Sequence, residues 1–148
     1  MENLKKYFRE MDFEAFGTGG FTTPATALPV LIKSRALLLD LRTREEVEAF
    51  SLPFTMHIPL NELPDRLDEL PQDLPVIVFS NGPWRSSVAL AYLIARGFDH
   101  VSLIPQGLAE MAKVLKPGPL YGAGVQKMEQ SYLNSPAGQT ACNCEKCC

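Results

Sequence analysis

No cysteine occurs before residue 142, yet four cysteines close the 148-residue chain. Thiols crowded at one end cannot staple distant segments, so a disulfide framework is not expected; a reducing, cytoplasmic setting is. Long apolar runs are also missing. The longest, over residues 88–95, is far too short to cross a bilayer. Glu2, Lys5, Lys6, Arg9 and Glu10 leave no room near the start for the apolar core of a secretory signal. A basic excess is absent as well: 14 basic residues face 17 acidic ones, for a formal net charge of -3. That balance, with no basic cluster interleaved with aromatics, argues against nucleic acid as a partner. Histidine is scarce, with only His57 and His100 available as bases.

What remains is ordinary globular material. A hydrophobic content of 46% against 21% charged residues suits one soluble domain with a sizeable core. Three regions are expected: an N-terminal extension over 1–22, a domain over 23–120, and a flexible cysteine-rich tail over 121–148.

Sheet and helix signals alternate along the chain. Residues 3–10 read as a weak helix and 12–16 as a short strand, before Gly17-Thr-Gly-Gly20 turns the chain. Thr23-Pro24 starts a helix to about Lys33, with Thr as cap and Pro at the first helical position. Residues 36–39 form a strand ending in Asp40. Thr43 caps a helix over 44–50, with Glu45 and Glu46 near the positive end of its dipole. Ile58 lies in an extended piece, and Asn61 caps a helix to about Leu70 with Leu63, Leu67 and Leu70 on one face. A central strand over 75–79 follows, then a helix over 87–96 stopped by Gly97. A strand over 101–104 and a helix over 107–115, ended by Pro117-Gly-Pro119, complete the core.

This alternation implies an α/β fold with a mostly parallel central sheet covered by helices on both faces. Ligand sites in such sheets lie beyond the carboxyl ends of the strands. Asp40 and Ser80 both fall on that edge.

Residues 75–97 read as strand, tight loop and helix. A strand feeding a helix N-terminus brings unpaired N–H groups and the positive dipole end to one small volume, an anion cradle. Such a cradle lowers the pKa of a thiol at the loop's first position. Here that position carries the hydroxyl of Ser80. Asn81, Gly82, Trp84, Arg85 and Ser86 can each present a backbone N–H, whereas Pro83 cannot. Asp40 and Arg42 would brace the loop from the neighbouring strand end, or else form a surface ion pair. Trp84 would wall the mouth, meet a partner, or simply pack.

Several of these segments resemble the rhodanese-like sulfurtransferases, over roughly residues 23–115. Leu37-Leu-Leu-Asp40-Leu-Arg42 followed by Arg44-Glu-Glu46 is similar to the family's Asp-x-Arg and acidic helix start. His57-Ile-Pro59-Leu-Asn-Glu-Leu63 is similar to its Ile-Pro-Leu segment. Ser80-Asn-Gly-Pro-Trp-Arg85 has the length of its active-site loop, and Ala95-Arg-Gly97-Phe, Val101-x-Leu103 and Gly107 follow its usual ending. Departures accompany the matches. Phe50-Ser-Leu-Pro-Phe-Thr55 replaces a common Gly-His-Ile-Pro-Gly-Ala stretch, and Met111 stands near a usual tryptophan. Both read as surface and packing changes. Ser80 stands where sulfur-transferring members carry cysteine.

The resemblance implies chemistry in which a thiolate attacks a sulfane sulfur and passes it on as a persulfide. Ser80 would occupy the nucleophile position, with Arg85 closing the loop. A serine hydroxyl ionises far above neutrality, and His57 and His100 read as surface or packing histidines. Thiosulfate sulfurtransferase activity through Ser80 is therefore not expected, unless a tail cysteine substitutes or the serine replaces a parent cysteine.

The tail holds the remaining chemistry. Val125, Met128 and Tyr132 have helical spacing, and disorder is expected from Ala137 onward. Cys142, Cys144, Cys147 and Cys148 include a Cys-x-x-Cys pair suited to zinc or cuprous copper, to sulfur carriage, or to neither; no cofactor is required. A flexible chain of about 25 residues spans about 25–30 Å, enough for these thiols to visit the Ser80 loop. Three functions follow. The first is sulfur handling, with a small sulfur-containing anion or a sulfur-relay protein as partner and a tail cysteine supplying the thiol. The second is an inactive binding or regulatory module of the same fold. The third is a thiol-based metal binder. Neither a membrane nor a nucleic acid is an expected partner.

Overall fold

A computed structural model describes residues 2–122 of the chain. Four strands, β1 (Leu37–Asp40), β2 (Thr55–His57), β3 (Val76–Phe79) and β4 (Val101–Leu103), form one sheet in the order β2-β1-β3-β4. Every neighbouring pair is parallel, and Asp40 lies opposite His57 on one side and Phe79 on the other. β1 and β3 are buried throughout. Continuous apolar runs of this kind belong to parallel strands covered on both faces. The expected α/β architecture is the observed one.

The covering helices are α1 (Glu2–Glu10), α2 (Phe13–Gly17), α3 (Leu28–Lys33), α4 (Arg44–Ala49), α5 (Pro83–Ala95), α6 (Leu108–Val114) and α7 (Pro117–Gly122). Alternation along the strands divides the core in two. Leu37, Leu39, Val76 and Val78 pack with Ala89, Leu90 and Leu93 of α5. Leu38, Ile77 and Phe79 pack with Leu28 and Ile32 of α3 and Met111 of α6. Beside β4, Leu103 donates to the Phe21 carbonyl and accepts from the Thr23 amide, so residues 21–23 lie along that edge of the sheet. Among the described residues, no helix is long and apolar enough to cross a membrane.

Five local expectations are corrected. Residues 12–16 give α2 rather than a strand, because the Asp12 carboxylate accepts the Ala15 amide and starts a helical turn. Thr23 caps nothing; its hydroxyl meets that of Ser102 at 2.6 Å, and a 3-10 turn over Ala25–Ala27 leads into α3. Residues 61–70 hold two 3-10 turns, Leu63–Asp65 and Leu67–Glu69, because Arg66 leaves helical geometry at φ -119 and ψ 20. Leu67 and Leu70 still share a face there, since side chains three apart eclipse in a 3-10 turn. Pro117 opens α7 instead of only ending α6, its ring being preformed for a first helical position. Helix α5 starts at Pro83 for the same reason, four residues ahead of the expected Ser87. Its far end is as expected. Gly97 adopts φ 92, its amide reaches the Ile94 carbonyl, and Phe98 reaches that of Leu93.

The Phe50–Thr55 stretch is more than a surface and packing change. Phe50 is exposed and Phe54 packs on the second core, but Phe54 also holds φ 62, a left-handed conformation that a bulky side chain rarely takes. The helix expected around Val125, Met128 and Tyr132 and the disorder expected from Ala137 fall outside the described residues.

Candidate functional site

Ser80 leaves the carboxyl end of β3 and is 1% exposed. Because α5 begins at Pro83, the loop proper is short. Gly82 occupies the cap position, and Pro83, Trp84 and Arg85 form the first helical turn. The Ser80 hydroxyl donates to the Gly82 carbonyl at 2.5 Å. The Ser86 hydroxyl donates to the Pro83 carbonyl at 3.0 Å. Its side chain is thus turned back onto the first turn of α5. The amides of Asn81, Gly82, Trp84 and Arg85 meet no acceptor among the described residues. A Cβ at Gly107, the cap of α6, would lie 3.7 Å from the Asn81 carbonyl oxygen, so a second helix head abuts the loop.

Neither histidine serves Ser80. The His57 Nε2 pairs with the Arg42 carbonyl at 2.8 Å. His100 precedes β4 and its carbonyl accepts the Val76 amide, at the opposite edge of the sheet.

Support for the loop comes from α4 through one carboxylate. Glu46 accepts from Arg85 Nη1 at 2.6 Å and Nη2 at 2.8 Å, and from the Asn81 side-chain amide at 2.5 Å. The same carboxylate accepts the Thr43 amide at 2.8 Å, closing a capping box with the Thr43 hydroxyl. These bonds hold the Glu46 pKa down to about 2, with the Arg85 guanidinium as the largest cause. Glu46 in turn raises the pKa of Arg85.

Asp40 and Arg42 make no bond to the loop and are not a surface ion pair. Both are fully buried, joined through Arg42 Nε to Asp40 Oδ1 at 2.9 Å and Nη2 to Oδ2 at 2.6 Å. Arg42 Nη1 then donates to the Phe50 carbonyl at 2.9 Å and the Glu46 carbonyl at 3.4 Å, which holds the C-terminal end of α4. Bracing reaches the loop through Glu46. Trp84 does not pack, for it is 84% exposed.

Beside Arg85 lies a cleft of about 340 Å³, lined by Leu41, Thr43, Pro59, Leu60, Asn61 and Arg85. Sequence reasoning did not reach this cleft, nor the role of Glu46. The Thr43-x-x-Glu46 spacing signals a capping box, but its reuse against α5 depends on how α4 and α5 meet.

Cys142, Cys144, Cys147 and Cys148, and with them the zinc or cuprous site, lie outside the described residues. Among the described residues no group of His, Cys, Asp or Glu could hold a metal ion.

Residues 25–113 match the Rhodanese-like domain family. The chain belongs to the rhodanese-like family. A curated relative, a sulfurtransferase of Allochromatium vinosum, is 31% identical over 77 residues, which cover 52% of this chain and 72% of that protein. Among solved structures, the Alr3790 protein of Anabaena sp. superposes with a TM-score of 0.60 at 23% identity, over 80% of this chain and 98% of that one. That likeness speaks for the rhodanese-like fold alone. Reduced CoADR-RHD of Bacillus anthracis gives a TM-score of 0.55 at 26% identity, over 72% of this chain but only 18% of that longer protein. A sulfur-handling family thus contains this chain, and the Ser80 segment lies beyond the strand ends where α/β folds place their ligands.

Proposed function

We propose that this rhodanese-like protein handles sulfane sulfur by binding at the Ser80–Arg85 segment, while Cys142, Cys144, Cys147 or Cys148 supplies the thiol. In this reading Ser80 occupies the position of the cysteine in sulfur-transferring members. One observation carries it: the Ser80 hydroxyl is buried, its proton is directed at the Gly82 carbonyl, and among the described residues no base contacts it. A hydroxyl so placed is not activated as a nucleophile. The free amides of Asn81, Gly82, Trp84 and Arg85 support anion binding at the same place. A tail thiolate attacking the outer sulfur of bound thiosulfate would become a persulfide and release sulfite.

The experiment is incubation of the whole chain with thiosulfate, followed by mass spectrometric mapping of added sulfur. Persulfide is expected on the tail peptide and none on Ser80; loss of the last seven residues should abolish loading. Absence of sulfur from all four cysteines overturns the reading. The Ser80→Cys variant, with the tail cysteines changed to serine, is expected to gain thiosulfate sulfurtransferase activity if position 80 is the family's cysteine position.

A second reading, a rhodanese-fold binding or regulatory module without catalysis, is favoured by Trp84. It stands 84% exposed at the head of α5, with Val88 59% exposed one turn further on. Large exposed apolar groups so close together suit contact with a partner. An unloaded tail together with a Trp84→Ala defect in partner capture would select this reading.

A further inference from the structure

We infer that the cleft beside Arg85 binds the organic body of a sulfur compound, a short alkyl chain carrying one terminal negative group, in preference to the thiosulfate dianion. The inference rests on the reading that the Ser80–Arg85 segment binds anionic sulfur, because Arg85 belongs to both.

The walls decide the chemistry. Leu41 and Pro59 are buried beneath the cleft and Leu60 is half-buried, so the floor is apolar. Thr43, Asn61 and Arg85 supply the polar groups at its rim. A volume of about 340 Å³ lies at the small end of the range for small-molecule sites. A compact inorganic dianion makes little use of such a floor, whereas a short chain packs its methylenes on it away from water.

Charge points the same way. Glu46 takes one N–H from each terminal nitrogen of Arg85 and cancels its net charge. A guanidinium has further N–H donors in its fork, and among the described residues Arg85 makes no other bond. The nearby cations are matched too: Arg44 pairs with Glu62 at 2.7 Å, and Arg42 with Asp40. A rim of balanced charge offers hydrogen bonds to one negative group but no net field for two.

The test is a titration of the full chain by two-dimensional amide NMR, with thiosulfate in one arm and ethane-, butane- and hexanesulfonate in the other. The expected result is that the alkyl sulfonates shift Leu41, Thr43, Leu60, Asn61 and Arg85. Affinity should rise about two- to fourfold per methylene until the cleft is full. Asn61→Trp, an exposed rim position, should weaken hexanesulfonate at least fivefold and leave the thiosulfate response at Asn81 and Gly82 unchanged. Affinity independent of chain length, thiosulfate binding as tight as hexanesulfonate, or shifts confined to Asn81 and Gly82 would each overturn the cleft assignment. Those outcomes leave the loop reading standing. Chain-length-dependent shifts in the cleft, with no sulfur on the tail cysteines, would support the cleft and remove the transfer reading instead.

Discussion

Replacing Glu46 by Gln tests the junction that joins α4 to the head of α5. The carboxylate receives two bonds from Arg85, one from Asn81 and one from the Thr43 amide. Charge-assisted bonds contribute about 1.5–3 kcal/mol each when shielded from water. Here the Arg85 and Glu46 side chains are 32% and 28% exposed. Gln keeps the shape and part of the bonding, so solvent screening and this residual bonding put the total loss at about 2 kcal/mol. For a domain of this size that lowers the melting temperature by about 4–8 °C. The pH dependence has a definite sign. The folded-state pKa is depressed from 4.5 to about 2, mainly by the Arg85 hydrogen bonds. The carboxylate's contribution is therefore complete above about pH 5 and is lost as the pH falls through 4.5 toward 2. Thermal melts of wild type and Glu46→Gln should differ most at neutral pH and converge on acidification. Equal melting temperatures at pH 7, or a gap that persists at pH 2, would refute the assigned geometry.

Three further perturbations follow from the packing. Arg42→Ala strands the Asp40 carboxylate in the core and frees the Phe50 carbonyl; urea unfolding should report a loss of about 3–5 kcal/mol, whereas a truly superficial pair would lose under about 1. Phe54→Gly should be more stable than Phe54→Ala by about 1–2 kcal/mol, because only glycine takes φ 62 without penalty, and the reverse order would contradict the left-handed backbone. Trp84→Ala should change stability by no more than about 0.5 kcal/mol while abolishing the intrinsic tryptophan emission; a larger loss would mean that Trp84 packs.

The alternation of apolar runs with helical periodicity was enough to read the α/β class and the place of β1, β3 and β4. Buried parallel strands leave that signature in any order of reading. Thr43 as a cap and Gly97 as a stop were equally legible, because each acts on backbone groups within a few residues. Where local signals competed, sequence was a poor guide. Asp12 converts an apparent strand into α2, Arg66 divides an apparent helix into two turns, and Pro83 starts α5 a turn early. Each outcome turns on one residue, whose side-chain bond, backbone angles or ring outweighs the surrounding pattern.

By itself, the order of residues determined that a hydroxyl rather than a thiol follows the central strand, and that thiols occur only in the final seven positions. It also determined the layered fold, since hydrophobic period and turn chemistry are local properties. Only the tertiary structure decided that Asp40 and Arg42 are sealed in the core, that Arg85 is neutralised by Glu46 from a helix 39 residues away in sequence, and that Trp84 faces solvent. Those facts arise where separate elements meet. Whether a charge is paired, buried or open to a ligand depends on distances that no run of adjacent residues encodes.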